Sequence, residues 1–135
     1  WIAVGPWVDL ALPSTFATAD AAVLYTVPTG FVLQLGVPWW RVTTSWTGGT
    51  DSAIGLSSSG WAMTTKGDLL GGSGGDVAAG LLSTGAHAKG TVGTDVGKPG
   101  AVLVAADTVR FDRIVDAFTA GVAVAHVPVF LAAAP

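Results

Sequence analysis

The side chains in this chain that could do chemistry are two histidines, nine aspartates and six tryptophans. A metal or catalytic site needs such residues at a ligand or triad spacing, and the chain contains no His-Glu-x-x-His motif and no pair of histidines at a ligand interval. The absence of cysteine excludes a thiolate zinc site and a cysteine nucleophile. His126 alternates with Val122 and Val124 as a packed strand histidine would, and His87 is expected in a loop. We therefore expect no enzymatic activity, no metal and no cofactor.

The carboxylates favour a structural role. Every acidic residue is Asp, and most of these side chains stand beside Gly, Thr or Ser. Asp in that context commonly caps a turn, whereas a glycosidase needs two carboxyls held apart across a groove. We therefore predict turn aspartates rather than a hydrolase. Arg110 and Arg113 lie close in sequence to Asp107, Asp112 and Asp116, which predicts local or inter-subunit ion pairs.

The composition restricts the class of partner. Of the 135 residues, 50% are hydrophobic and 11% are charged, and the formal net charge is −3. Disordered chains combine low hydrophobicity with high charge, so we expect this chain to be folded. Nucleic-acid binders are basic, so we expect no nucleic-acid partner. The most hydrophobic segment, residues 121–134, is short for a bilayer span and contains His126 and Pro128, so no membrane partner is expected. High hydropathy without a membrane span indicates apolar surface that an assembly covers.

The residue pattern predicts a single all-β domain. Val, Thr and Gly are abundant, and Glu is absent, so little in the chain could form an exposed helix face. Strands are predicted at residues 21–27, 31–46, 101–105, 108–114 and 121–131, with a hairpin signal at residues 47–50. Pro38 must interrupt the ladder within the second of these strands. Between residues 60 and 100 long glycine-rich loops are predicted, and the short runs at residues 61–65, 77–82 and 86–92 are possible strands between them. Short strands separated by turn signals predict a β-sandwich or jelly-roll-like fold.

The first 20 residues allow two interpretations. Prolines and a glycine punctuate them, which predicts an extended N-terminal arm that reaches a neighbouring subunit, with residues 21–135 forming the sandwich domain. An ordinary first strand folded on its own core is the alternative. The candidate partner-interface residues are Trp1, Ile2, Trp7, Val8, Leu10, Trp39 and Trp40.

Several segments together resemble small virion proteins of tailed bacteriophages. They are VPTG at residues 27–30, TGGT at 47–50, IGLS at 54–57, KGDLL at 66–70, ADTV at 106–109 and TAGVAV at 119–124. The resemblance extends over residues 21–131 and consists of turns and strand patterns rather than ligands. It implies a β-sandwich subunit on the capsid exterior and no catalytic residues.

The resemblance also implies partners. A capsid decoration or cement protein binds the outer shell and stabilises contacts between major capsid subunits, and we expect this chain to form a homo-oligomer, a trimer by analogy. Two other roles remain open. One is a tail or head-to-tail connector component, and the other is a carbohydrate-binding jelly roll that uses Trp39, Trp40 or Trp61 as a stacking platform.

Overall fold

The chain is described here by a computed structural model over residues 8–15, 21–47, 53–61, 63–71, 87–88, 91–96, 98, 101–114 and 118–135. Within these residues it forms eleven strands and no helix, which confirms the all-β prediction. The strands are β1 (Val8–Thr15), β2 (Ala21–Thr26), β3 (Phe31–Leu35), β4 (Trp39–Thr47), β5 (Ala53–Ser58), β6 (Leu70–Gly71), β7 (His87–Ala88), β8 (Thr91–Val92), β9 (Val102–Leu103), β10 (Thr108–Ile114) and β11 (Ala120–Ala133).

Two antiparallel sheets pack together as a β-sandwich. The β11 sheet contains six strands, in which β11 pairs with β1, β3 and β4, while β9 extends β3 and β7 extends β4. The β10 sheet contains five strands in the order β2-β10-β5-β6-β8. The longest strand, β11, therefore organises one sheet, and β10 lies next to the edge of the other.

The register shows how β11 is flanked. Val129 pairs with both β1 and β3, and Val124 pairs with both β1 and β4. Since a strand residue has one neighbour on each side, β3 and β4 lie end to end along the side of β11 opposite β1. The outer strand β1 is thus held by β11 over its whole length of eight residues.

The predicted interruption at Pro38 is confirmed. Leu35 pairs with Val129 and Trp39 pairs with His126, so the β3–β4 side of this break contains one more residue than the β11 side. An extra residue of this kind is a β-bulge, which lets the ladder resume on the same partner after a residue that cannot donate a hydrogen bond.

The core lies between the sheets and is centred on aromatic rings. Trp46 of the β11 sheet stacks on Phe111 of the β10 sheet at a centroid distance of 5.6 Å, and Trp40 meets the same ring edge-on at 5.9 Å. Phe118 packs against Trp46 at 4.9 Å. Such ring pairs contribute about 0.5–1.5 kcal/mol each beyond the area they bury, so these contacts tie the two sheets together.

Four local expectations from the sequence need correction. The predicted hairpin after Thr47 is wrong, because β4 belongs to the β11 sheet and β5 to the β10 sheet. The turn predicted at residues 27–30 with Pro28 in second place lies one residue later, since Phe31 N–H donates to Pro28 O and Gly30 takes a φ of 84°. The possible strand at residues 61–65 is absent from the described part of that segment. His87 lies in β7 rather than in a loop, opposite Arg41.

The N-terminal segment follows the second of its two interpretations where it is described. Val8–Thr15 forms β1, and Leu10 and Leu12 pack against the core from that strand. Residues 1–7 and 16–20 lie outside the described residues, and so does most of the glycine-rich stretch between residues 72 and 100.

Candidate functional site

The outer face of the β11 sheet is apolar along its middle strand. In β11 the residues with odd numbers from 121 to 129 are buried, and the even-numbered residues between them point outward and are half-buried. The outward residues are Val122, Val124, His126, Pro128 and Phe130. Antiparallel sheets that face water usually carry polar residues on that side. This row is therefore more apolar than the solvated face of an ordinary antiparallel sheet.

Three adjacent strands bring Asp9, His126 and Trp39 together at the centre of this outer face. Trp39 lies directly opposite His126 in the register, and the indole and imidazole stack at 4.0 Å with an interplanar angle of 8°. Asp9 of β1 lies two residues diagonally from His126, and its Oδ2 atom is 2.7 Å from Nδ1. Asp9 and Trp39 therefore fix the orientation of the imidazole from both sides.

Among the described residues, none is placed as a nucleophile on the second imidazole nitrogen of His126. An Asp–His pair acts in catalysis when the second imidazole nitrogen contacts a nucleophile. In the described part of the chain, the only hydrogen-bond partner recorded for His126 is Asp9. With the Asp9 side chain 50% exposed and that of His126 18% exposed, the pair is a surface contact that ties β1 to β11.

The predicted interface residues divide into three groups. Trp1, Ile2 and Trp7 lie outside the described residues. Val8 belongs to β1 opposite Val129, and Leu10 packs against the core from the same strand.

The neighbouring tryptophans of β4 are the third group. Trp39 is half-buried on the outer face, whereas Trp40 is fully buried beside Phe111. Trp40 is therefore a core residue, which corrects its assignment to the partner interface and to a sugar-stacking platform. Adjacent strand residues point to opposite faces of a sheet, so only one of the pair could be on the surface.

A second exposed apolar surface lies where four segments meet at one end of the sandwich, which we term the loop end. Asp107 joins two of them: it accepts hydrogen bonds from Val104 N–H (2.9 Å) and from Ser59 Oγ (3.4 Å). Ala106 N–H donates to Val27 O, and Ala134 N–H donates to Gly30 O, which adds the turn after β2 and the C-terminal segment. Exposed there are Trp61 (52%) and Val104 (51%).

The loop end also contains an apolar groove with a volume of about 370 Å³. Its lining residues are Phe31, Val32, Val102, Val104, Ala105 and residues 134–135. Trp61 holds a left-handed backbone conformation, with a φ of 56°. Such a conformation is uncommon for a residue other than glycine, and strained backbone is concentrated at functional sites.

Asp112 is a buried carboxylate that the turn-capping interpretation did not anticipate. It accepts hydrogen bonds from Ser57 Oγ (2.9 Å) and Gly67 N–H (2.9 Å), and so holds the segment between β5 and β6 against β10. Desolvation raises the pKa of the Asp112 carboxyl above its ordinary value, despite the opposing effect of these hydrogen bonds and of the charges on Arg110 and Lys66. Asp112 follows the core-facing Phe111, so its side chain points to the other face of the β10 sheet, where the segment at residues 63–69 covers it.

Asp68, Asp95 and Asp107 lie at turns, as predicted, whereas Asp9 lies within β1 and contacts His126. Asp68 accepts a hydrogen bond from Thr65 N–H at 2.8 Å, and Asp95 pairs with Lys98 three residues later. Arg110 donates to the carbonyl oxygens of Ser58 and Thr64.

Further comparisons bear on ligands and relatives. Across the described residues, no group of three or more His, Asp or Glu side chains is placed to hold a metal ion, and no helix there is long and apolar enough to cross a bilayer. No family model matches this chain, and no curated protein or solved structure matches it either.

Proposed function

We propose that this chain is a non-enzymatic structural protein of a bacteriophage virion, a capsid decoration protein that binds the exterior of the shell and bridges major capsid subunits. The observation that supports this role is the loop end, where Trp61, Val104 and an apolar groove are exposed together. Burying apolar surface stabilises a contact by roughly 25 cal/mol per Å² removed from water. A protein with so little charge meets a shell through such contacts rather than through electrostatic attraction.

Co-sedimentation with empty capsids tests the proposal. The double variant Trp61→Ser/Val104→Ser should weaken shell binding at least ten-fold, because the two large apolar side chains exposed among the described residues of the loop end are removed. Val37→Ser is the matched control, since Val37 is 60% exposed but lies in the break between β3 and β4. Failure of the unaltered chain to bind capsids, or equal losses in both variants, would contradict the proposed role.

The same assay tests the N-terminal residues. Deleting residues 1–7 leaves β1 intact, and under the arm hypothesis it should weaken shell binding without lowering stability. Deleting residues 1–12 is a poor test, because Leu10 and Leu12 pack against the core. Unchanged binding after removal of residues 1–7 would exclude an arm that contacts the shell.

The position of the chain in the particle separates the head from the tail. Antibody labelling of intact virions should mark the capsid exterior if the decoration role is correct. Label on the tail or at the neck would instead assign the chain to the tail or connector.

A carbohydrate-binding module is the second candidate, and the exposure of Trp61 favours it. Trp40 is buried and one face of Trp39 is covered by His126, so Trp61 is the remaining platform among the three tryptophans considered. Titration with a panel of oligosaccharides should change the tryptophan fluorescence if this role is correct, and Trp61→Ala should abolish the change. A flat titration would remove the candidate.

A further inference from the structure

We propose that the outer face of the β11 sheet binds a second copy of this chain, related to the first by a twofold axis that passes over His126. This inference rests on the proposed function insofar as a decoration protein is expected to self-associate. The inference assigns self-association to one face of the sandwich. It predicts a dimer, whereas the resemblance implies a trimer.

The apolar row on β11 supplies the attraction. Val122, Val124, Pro128 and Phe130 point outward from the middle strand of the sheet, and each is half-buried by its neighbours. A second face laid over this row would remove the remaining apolar surface from water, as in the interior of a sandwich, where stacked sheets lie about 10 Å apart. The contact would therefore be centred on the strand that already organises the sheet.

The charges on this face are arranged for self-recognition. Among its described residues, the charged side chains are Asp9 on β1 and Arg41 on β4, and both are exposed. Asp9 lies opposite Pro128 on one side of β11, and Arg41 lies opposite Val124 on the other. His126 is midway between these two levels of the strand.

A twofold axis through that midpoint exchanges the two charged positions. Asp9 and Arg41 are separated by four residues along β11, about 14 Å, and by two strand spacings, about 10 Å. With the axis perpendicular to the line that joins them, Asp9 of each copy lies over Arg41 of the other. Two inter-subunit ion pairs then flank the apolar row, and the strands of the two copies cross at a steep angle, as in orthogonal sheet packing.

The intramolecular contacts prepare the face for this partner. His126 holds Asp9 at 2.7 Å, and Trp39 stacks on the other side of the imidazole, so the centre of the face is ordered before association. A preorganised surface loses less side-chain entropy on binding. The described residues of this face place one negative and one positive group on either side of the centre, which matches a second copy better than a partner with one sign of charge.

Charge-reversal variants test the proposal in solution. In Asp9→Arg both charged positions of each copy are positive, and in Arg41→Asp both are negative, so each variant alone should dimerise at least ten-fold more weakly than the unaltered chain. A 1:1 mixture should recover the dimer, because each variant then supplies the charge that the other lacks. The double variant Asp9→Arg/Arg41→Asp restores complementarity within one chain and should also dimerise.

Sedimentation velocity over a range of protein concentrations measures these outcomes, with circular dichroism showing that each variant is folded. A dimer with recovery in the mixture supports the proposal. An unaltered chain that is monomeric or trimeric, a dimer that neither variant weakens, or a mixture without recovery overturns it. The Trp61→Ser/Val104→Ser variant should keep the dimer mass, so that loss of shell binding and loss of self-association are separately observed.

Discussion

At the scale of single residues, Ala106 holds a backbone conformation that favours glycine. It is the third residue of the turn in which Asp107 N–H donates to Val104 O, and its φ is 73°. For a side chain with a Cβ this region costs roughly 1–2 kcal/mol. Ala106 is exposed, so the cost is conformational and no packing would be lost on its replacement.

Ala106→Gly should therefore raise the free energy of unfolding by about 0.5–1 kcal/mol, since the relieved strain exceeds the added entropy of the unfolded chain. Urea denaturation measures the change. Ala105→Gly is the control at the preceding exposed position, where φ is not positive. That change should lower stability by about 0.4–1 kcal/mol. The same sign for both variants would contradict the explanation.

Asp112 makes stability depend on pH. Because burial raises its pKa, the folded state holds the proton more tightly than the unfolded chain does. The resulting stabilisation is complete below the unfolded carboxyl's pKa of about 3.9 and is lost as the pH rises through the higher folded value. The difference in unfolding free energy between the unaltered chain and Asp112→Asn should therefore fall as the pH rises through this window.

Ser57→Ala sharpens this test. The Ser57 hydroxyl donates to the Asp112 carboxylate at 2.9 Å and so lowers its pKa. Its removal should raise the folded pKa further and extend the window of declining stability to higher pH. Denaturation series across acidic and neutral pH measure the unfolding free energies of the unaltered chain and of both variants. If the difference between the unaltered chain and Asp112→Asn does not change with pH, the Asp112 carboxyl is not the source of the pH dependence.

The residue scale also shows why the candidate site was only partly predictable. Two adjacent tryptophans on a strand must face opposite sides, yet sequence alone does not say which of Trp39 and Trp40 faces the core. Asp9 and His126 are 117 residues apart, and their contact depends on the register of β1 against β11. The sequence predicts the alternation around His126, but it does not predict that Asp9 and Trp39 contact the imidazole.

At the scale of the elements, Gly121 permits the start of β11 to pass over Trp46. Its φ is 143°, and a Cβ at this position would overlap the indole of Trp46. Gly121→Ala should therefore lower the free energy of unfolding by roughly 2–4 kcal/mol, because backbone strain and overpacking add. Thermal and chemical denaturation would measure the loss.

Gly30→Ala is the matched control for this substitution. Gly30 also has a positive φ, of 84°, but no atom lies within 4 Å of where its Cβ would be. Only the conformational cost of roughly 1–2 kcal/mol is then expected. Equal losses for the two glycines would show that the contact with Trp46 contributes nothing.

The strands were more predictable than their partners. Residues 108–114 and the break at Pro38 follow from alternation and from the missing proline N–H. The connection after Thr47 has the glycines of a hairpin, but Trp46 and Ile54 both point into the space between the sheets. The chain buries Trp46 from the β11 sheet and Ile54 from the β10 sheet, so it crosses from one sheet to the other between them. A local turn signal does not distinguish such a crossing from a hairpin.

At the scale of the whole molecule, one aromatic cluster holds the sandwich together. Phe111 lies on the β10 sheet, and both Trp40 and Trp46 reach it from the β11 sheet. Separation of the two sheets would therefore expose these rings to water. A domain of this size with a single shared core is expected to unfold in one cooperative step.

Phe111→Ala should lower the free energy of unfolding by about 3–5 kcal/mol. Removal of the ring leaves a cavity between the sheets, and the neighbouring side chains cannot move far enough to fill it. Tryptophan fluorescence, which reports the rings between the sheets, and far-ultraviolet circular dichroism, which reports both sheets, should give coincident transitions in the unaltered chain. Separate transitions would mean that one sheet persists alone. The shared ring would then be a contact between two independent units rather than the centre of one core.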